Sequence, residues 1–428
     1  MGTDQNVLKK KFFDSVKRGT GEAWIILKSN PTLKISTPLI KASLTNFAYD
    51  PQCEGSRAQY LYRLIKISNQ KEKILHAIIK NLPLKKDDYY GLDQICDLLV
   101  MFFNDGYTEA RTALSQLVTR SYKKGYEPCG FNQIIELEGM AGLLTVAEIA
   151  GKNIYKEKGA WEDSWRVDNF QKKHKKIPVY TELEKAAEKN KFIRAYYMSI
   201  LENKWRSAKR RRTIKFSYKL VEEKINTNKF RVISEERAND LSRNEVKKLA
   251  ENFLTEKDAH RKELYLRFFA KRKFPFAYDS LLKIVRSNNP KDTRLVEFAV
   301  YALSYFKGRD IRKLALAKLS GKKNPGYYLN LLVNNYKPED YKLLAAIANR
   351  SNDYHYIHSI VSGLVHIYTS NHTRKCKKPL ETIYNKMNCG IHRNELVQVL
   401  KDNNVLSETI RSELRYDSYK DLTRFLSK

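Results

Sequence analysis

The chain has 428 residues, 80 Lys+Arg against 48 Asp+Glu, and a formal net charge of +32. Its length exceeds one ordinary compact core, its 42% hydrophobic and 11% aromatic content excludes wholesale disorder, and no apolar run approaches the ~20 residues of a membrane span. A charge this large repels itself unless a polyanion neutralises it, nucleic acid before anionic membrane, although a Lys-, Asn- and Ile-rich chain also arises from an AT-biased genome.

The start, MGTDQNVLKKKFF, lacks the apolar centre of a secretory signal, and Asn6 stands where a myristoylation signal carries Ser or Thr. Five cysteines, an odd number in a long chain, point to a reducing, cytoplasmic setting and not to a disulfide framework. DPQCEGSR, Asp50 to Arg57, reads as an inter-helix turn with a surface Glu54–Arg57 pair worth a few tenths of a kcal/mol, or as an oriented acid, Glu54, at a groove edge.

YGLDQICDLLVMFF, Tyr90 to Phe103, sets Leu92, Ile95, Leu98, Leu99 and Phe102 on one helical stripe. Gly106 in the following NDGY suits a left-handed cap, and EARTALSQLVTRSYK forms a second helix. FNQIIELEGMAGLLTVAEIAG, Phe131 to Gly151, is an apolar helix pair or one long helix, in which Gly139 and Gly142 imply close backbone packing.

From Lys152 to about Lys248 the chain is crowded with charge. GAWEDSWRVDNF, Gly159 to Phe170, is its most site-like segment, with Trp161 and Trp165 expected one helical turn apart and Asp163 and Arg166 on a neighbouring face. Indole rings stack on bases, guanidinium binds phosphate, and a carboxylate, Asp163 or Asp168, stabilises a sugar cation or orients water. The alternative is that the tryptophans fill the core and the acids cap a helix. Thr181 with Glu184 reads as a capping box opening the next helix. NKWRSAKRRRTIKFSYKL, Asn203 to Leu220, then contains no acid; Lys204, Trp205, Arg206, Lys209, Arg210, Arg211, Arg212 and Lys215 supply a basic, aromatic surface for phosphates. Lys271, Arg272 and Lys273, in FFAKRKFPF, extend it.

The C-terminal part repeats a plan of two amphipathic helices per ~40 residues, with Asp292 as an N-cap, Pro338 at a helix start and the small residues Ala299, Ala302, Ala315 and Ala317 on the inner face. Tyr354, His355, Tyr356 and His358 cluster without a carboxylate in sequence reach. His372, Cys376, Cys389 and His392 form H-x3-C-x12-C-x2-H, a possible zinc set, though the lysines at 375, 377 and 378 oppose a cation and no metal is assigned. Phosphate-loop and dinucleotide fingerprints are absent, and no cofactor is expected.

AYDPQCEGSRAQYLYRLI, FNDGYTEARTAL, IELEGMAGLLTVAEIAG and MNCGIHRNELVQVLKDNNVLSETIRSELRYDSYKDLTRFL together resemble a family of bacterial HEAT-like proteins of similar length, in colinear order over most of the chain. The family has no settled chemistry, and its usual Cys-x-x-Cys-Arg is here Cys389-Gly390-Ile391-His392-Arg393. In architecture alone the chain is similar to the HEAT-like alkylpurine DNA glycosylases of bacteria, which hold DNA in a curved basic groove; their catalytic motif does not align, so no residue is carried over.

The expected fold is thus an all-α, HEAT-like solenoid of stacked antiparallel helix pairs with a basic concave groove. It divides into N-terminal repeats (1–151), a charged middle segment (152–248) and C-terminal repeats (249–428). The expected partner is double-stranded DNA and no membrane. The specific expectation is a DNA glycosylase excising modified bases, in a setting such as defence against phage DNA, with Asp163, Asp168 or Glu54 as the carboxylate. The alternative is a non-enzymatic solenoid that binds nucleic acid or protein. Oligomeric state is not fixed by the sequence.

Overall fold

The computed structural model describes residues 2–82, 88–123, 129–210, 216–287, 293–321 and 326–426, with the side chains of 2–4, 120–123 and 205–210 outside that description. Among the described residues every regular element is an α-helix or a 3-10 helix, and the longer helices bury apolar residues against their neighbours. No helix among them is long and apolar enough to cross a membrane.

The stripe expected around Leu92 to Phe102 appears as the Tyr89–Asn104 helix, with Leu92, Ile95, Leu98, Leu99 and Phe102 all buried. Gly106 has φ +99°, and the amides of Gly106 and Tyr107 donate back to the carbonyls of Phe103 and Phe102. That double closure ends the helix and turns the chain into Thr108–Lys123. Gly139, by contrast, is not a packing glycine. It has φ +61° with open space around its Cα, and it breaks the apolar segment into Phe131–Glu138 and Met140–Lys156. Gly142 and Gly151 are the close-approach positions, the first against the Ile134 carbonyl and the second against that of Phe192.

The capping box expected at Thr181 does not form. The helix is Val179–Lys189, beginning directly after Pro178, and its Val179 amide donates to Oε1 of Gln171 at 3.1 Å. A side chain from the preceding helix does the capping, which local sequence does not announce.

The chain forms two compact units, 1–213 with 416–420, and 214–415 with 421–428. The charged segment 152–248 is divided between them. In the first, Met140–Lys156 packs extensively against Lys191–Arg210, and one continuous core runs from Phe12 to Ile200. Residues 416–420 join this unit: Tyr416 stacks on Trp24, ring centroids 3.7 Å apart and 8° from parallel, and the Ser418 amide donates to the Gly19 carbonyl.

In the second unit, Ala259–Phe269 and Asp279–Arg286 both pack on Thr293–Leu303. Phe269 and Phe274 meet edge to face at 4.9 Å, as do Phe253 and Phe274 at 5.6 Å. The stretch GYYLNLL folds as a 3-10 helix, Gly326–Leu332, and Pro338 opens a short 3-10 turn ahead of Tyr341–Asn349. Ala299, Ala302 and Ala315 are buried as expected, but Ala317, two positions past Ala315 on the Arg309–Ser320 helix, faces away from the stripe and is exposed; Asp292 lies outside the described residues.

Candidate nucleic-acid interface

Trp161 and Trp165 stand in water, 65% and 55% exposed. Neither is a core residue. The expectation that they lie one helical turn apart is corrected: the helix is Trp165–Lys173, and Trp161 sits in the irregular segment before it. Asp163 Oδ1 accepts the Trp165 amide, the first of that helix, at 2.9 Å.

Arg166 does not face Asp163. Its Nη1 donates to Glu162 at 2.8 Å, one turn back, and its guanidinium lies 5.4 Å from the centre of the Phe131 ring. Glu162 is tied down further, its amide donating to Ser199 Oγ and its carbonyl accepting from Asn203. Burial lifts the Glu162 carboxyl above its ordinary range, with the Arg166 charge pulling it back. The Glu162–Arg166 spacing of four residues was the available signal for this pair.

Asp168 accepts from the Tyr180 hydroxyl at 2.7 Å and the Ser164 hydroxyl at 2.7 Å, and Lys204 Nζ lies 3.5 Å away. Burial alone would raise its pKa, but these three donors outweigh it and hold the carboxyl below the usual range. Lys204 also lies 4.6 Å from the centre of the Tyr180 ring. Tyr180 was not anticipated; it comes from the next helix and no local pattern marks it.

Glu54 takes the structural alternative. Its Oε1 accepts the amides of Tyr49 and Asp50, and its Oε2 pairs with Arg57 Nη2 at 3.2 Å, with both side chains about 95% removed from solvent at 4% and 5% exposure. The expected surface pair is therefore a buried one.

A cleft of about 610 Å³ opens along the other face of the Trp165–Lys173 helix. Trp165, Arg166, Asn169, Lys173 and His174 form one wall, and Asn132, Ile135 and Glu136 another. Its volume lies in the range of small-molecule sites. Asp163, Asp168 and Glu54 are not among its lining residues; the carboxylate that lines it is Glu136, which is exposed and which sequence reasoning missed.

The basic residues divide. Trp205, Arg206, Lys209 and Arg210 occupy the last turns of Lys191–Arg210, with side chains outside the description, and Arg211, Arg212 and Lys215 lie outside the described residues. Lys271, Arg272 and Lys273 belong to the second unit, where Arg272 Nη1 donates to the Ala238 carbonyl and Lys273 Nζ lies 5.1 Å from the centre of the Phe306 ring. The four residues of the H-x3-C-x12-C-x2-H spacing do not gather as one set. Cys389 and His392 come together, but their third neighbour is His358, and His372 and Cys376 are not in the group.

Fold and site together define an all-α protein whose first unit carries a cleft lined by Arg166, Lys173, His174 and Glu136 with the exposed indole of Trp165. Comparison with protein families, with curated proteins and with solved structures finds no match.

Proposed function

We propose that the protein binds nucleic acid, double-stranded DNA foremost, with its helix pairs stacked as a HEAT-like solenoid around a basic concave groove. The observation that carries the reading is the exposed Trp165 indole in a cleft that Arg166, Lys173 and His174 also line, with a second exposed indole, Trp161, four residues earlier in the chain. Keeping two tryptophans in water is unfavourable by roughly 2 kcal/mol each relative to burial, so a partner that covers them gains that free energy on association. Nucleic acid supplies both complements, stacked π-faces for the rings and phosphates for a charge of +32.

The finer reading is a DNA glycosylase acting on modified bases, as would serve against phage DNA. Cleaving an N-glycosidic bond requires the base to leave the stack, and the Trp165 cleft has room for one. The acid within reach of a base held there is Glu136, ahead of Asp163, Asp168 and Glu54. A second reading, a binding scaffold without chemistry, is favoured by the commitments of the other acids: Asp163 caps a helix, Asp168 has three donors, and Glu54 is buried on Arg57.

The deciding experiment is titration of a labelled duplex at several salt concentrations, followed by incubation with modified DNA and alkali. Binding that weakens steeply with salt and is lost in Trp165→Ala with Lys173→Glu supports the interface. Absence of binding at low salt, or binding indifferent to both substitutions, removes it. Alkali-labile sites that vanish in Glu136→Gln assign the chemistry, and intact strands leave the scaffold.

A further inference from the structure

A second constellation lies in the other unit and is independent of the nucleic-acid reading. His358 is on the Tyr354–Ser370 helix, Cys389 is the residue flanking the start of Gly390–Asp402, and His392 is in that helix's first turn. The two helices pack together, and one ligand atom from each of His358, Cys389 and His392 lies within 4.8 Å of the other two. Cys389 Sγ is 3.6 Å from His392 Nδ1, and the His358 and His392 ring centroids are 4.3 Å apart.

We propose that His358, Cys389 and His392 bind a zinc-class divalent ion. A tetrahedral ion with sulfur at ~2.3 Å and nitrogen at ~2.05 Å separates those two ligands by about 3.6 Å, so the Cys389–His392 edge already has coordination length. Bringing His358 onto the same ion takes a side-chain movement on the order of 1 Å. Thiolate with imidazole is a ligand set that selects zinc over magnesium or calcium. Cys389 is buried at the positive end of a 13-residue helix, which favours an anionic ligand there, while both histidines are half-exposed and leave the ion a way in.

Binding exchanges the Cys389 thiol proton for the metal, the proton going to solvent, and the imidazoles enter neutral. No fourth ligand of the Cys, His, Asp or Glu type joins the group among the described residues. Three protein ligands leave one position to water or a bound molecule, the pattern of a reactive and not a purely structural zinc. Cys376, which the sequence spacing offers as a ligand, is not in the group.

The test uses the full chain, stripped of metal and titrated with cobalt(II) alone, then with zinc(II) as competitor. The expected result is one equivalent of cobalt with a sulfur-to-cobalt charge-transfer band, displaced by zinc. The band is lost in Cys389→Ser and its ligand-field spectrum changes in His358→Asn and His392→Gln, while Cys376→Ser and His372→Ala match the parent. Failure of the unaltered protein to develop the band overturns the proposal without recourse to any variant. So does a band that survives Cys389→Ser and disappears in Cys376→Ser.

Discussion

Tyr180 donates its phenolic hydroxyl to Asp168 Oδ1 at 2.7 Å, joining two successive helices through a carboxylate that also receives Ser164 and approaches Lys204. The folded protein therefore prefers Asp168 ionised, and its pKa lies below that of a free aspartate. A depressed carboxylate contributes stability above the unfolded pKa, about 3.9, and loses it as pH falls through the folded value. Tyr180→Phe removes one donor and is expected to cost about 1 kcal/mol at neutral pH, the carboxylate being partly exposed. The gap to the parent should narrow as pH drops from 5 toward the folded pKa. Urea unfolding at a series of pH values checks this; a penalty that grows on acidification would show that Asp168 is neutral in the fold.

Trp161 and Trp165 make the opposite kind of prediction. Both are more than half exposed, so Ala at either position should change folding stability by no more than about 0.5 kcal/mol. If they stack on bases, each substitution should weaken binding to DNA by about 1–3 kcal/mol, roughly 5- to 150-fold, with an unchanged salt slope. Lys173→Glu should do the reverse, lowering the slope by about 1 with smaller effect at high salt. Anisotropy titrations at several salt concentrations separate the two.

The sequence made the helices legible because their signal is local. The stripe from Leu92 to Phe102 and the left-handed Gly106 both depend on neighbours a few residues away, and both appear as expected. The capping box at Thr181 failed for the converse reason, since Gln171 from another element capped the helix first. The site divided along the same line. Trp161, Trp165 and Asp168 could be singled out by composition, but Glu136, which shares a cleft with Trp165, and Tyr180, which orients Asp168, arrive from other helices. Likewise the pairing of Cys389 with His392 was visible in Cys-x-x-His, whereas His358 is brought in by helix packing alone.

Burial changes what the Glu54–Arg57 pair is worth. As a surface pair with Arg57 it would be worth a few tenths of a kcal/mol; at 4% and 5% exposure it is a buried pair. Arg57 is also held by the Lys17 carbonyl at 2.6 Å and cannot withdraw to solvent cheaply. Glu54→Gln should therefore destabilise the protein by about 3 kcal/mol, through the cation left without its carboxylate. Thermal denaturation measures it. A loss of DNA-directed activity at full stability would instead restore Glu54 as a functional acid.

Gly151 and Gly139 separate packing from conformation in a single segment. In the interior of a helix, Gly→Ala is worth about 1 kcal/mol of added stability on propensity alone. At Gly151 a Cβ would overlap the backbone carbonyl of Phe192, and backbone cannot swing aside as a flexible side chain can. Gly151→Ala must then push Met140–Lys156 away from Lys191–Arg210, the helix pair at the centre of the first unit, and a net loss of about 2 kcal/mol or more is expected. At Gly139 there is nothing to strike, but φ +61° with ψ −129° is a conformation that only glycine enters readily, so Gly139→Ala should cost about 1–3 kcal/mol through backbone strain alone. Melting temperatures of Gly151→Ala and Gly139→Ala both below that of the parent are the expected outcome, the first from a clash and the second from backbone strain. A Gly151→Ala variant as stable as the parent would mean that the two helices do not approach so closely.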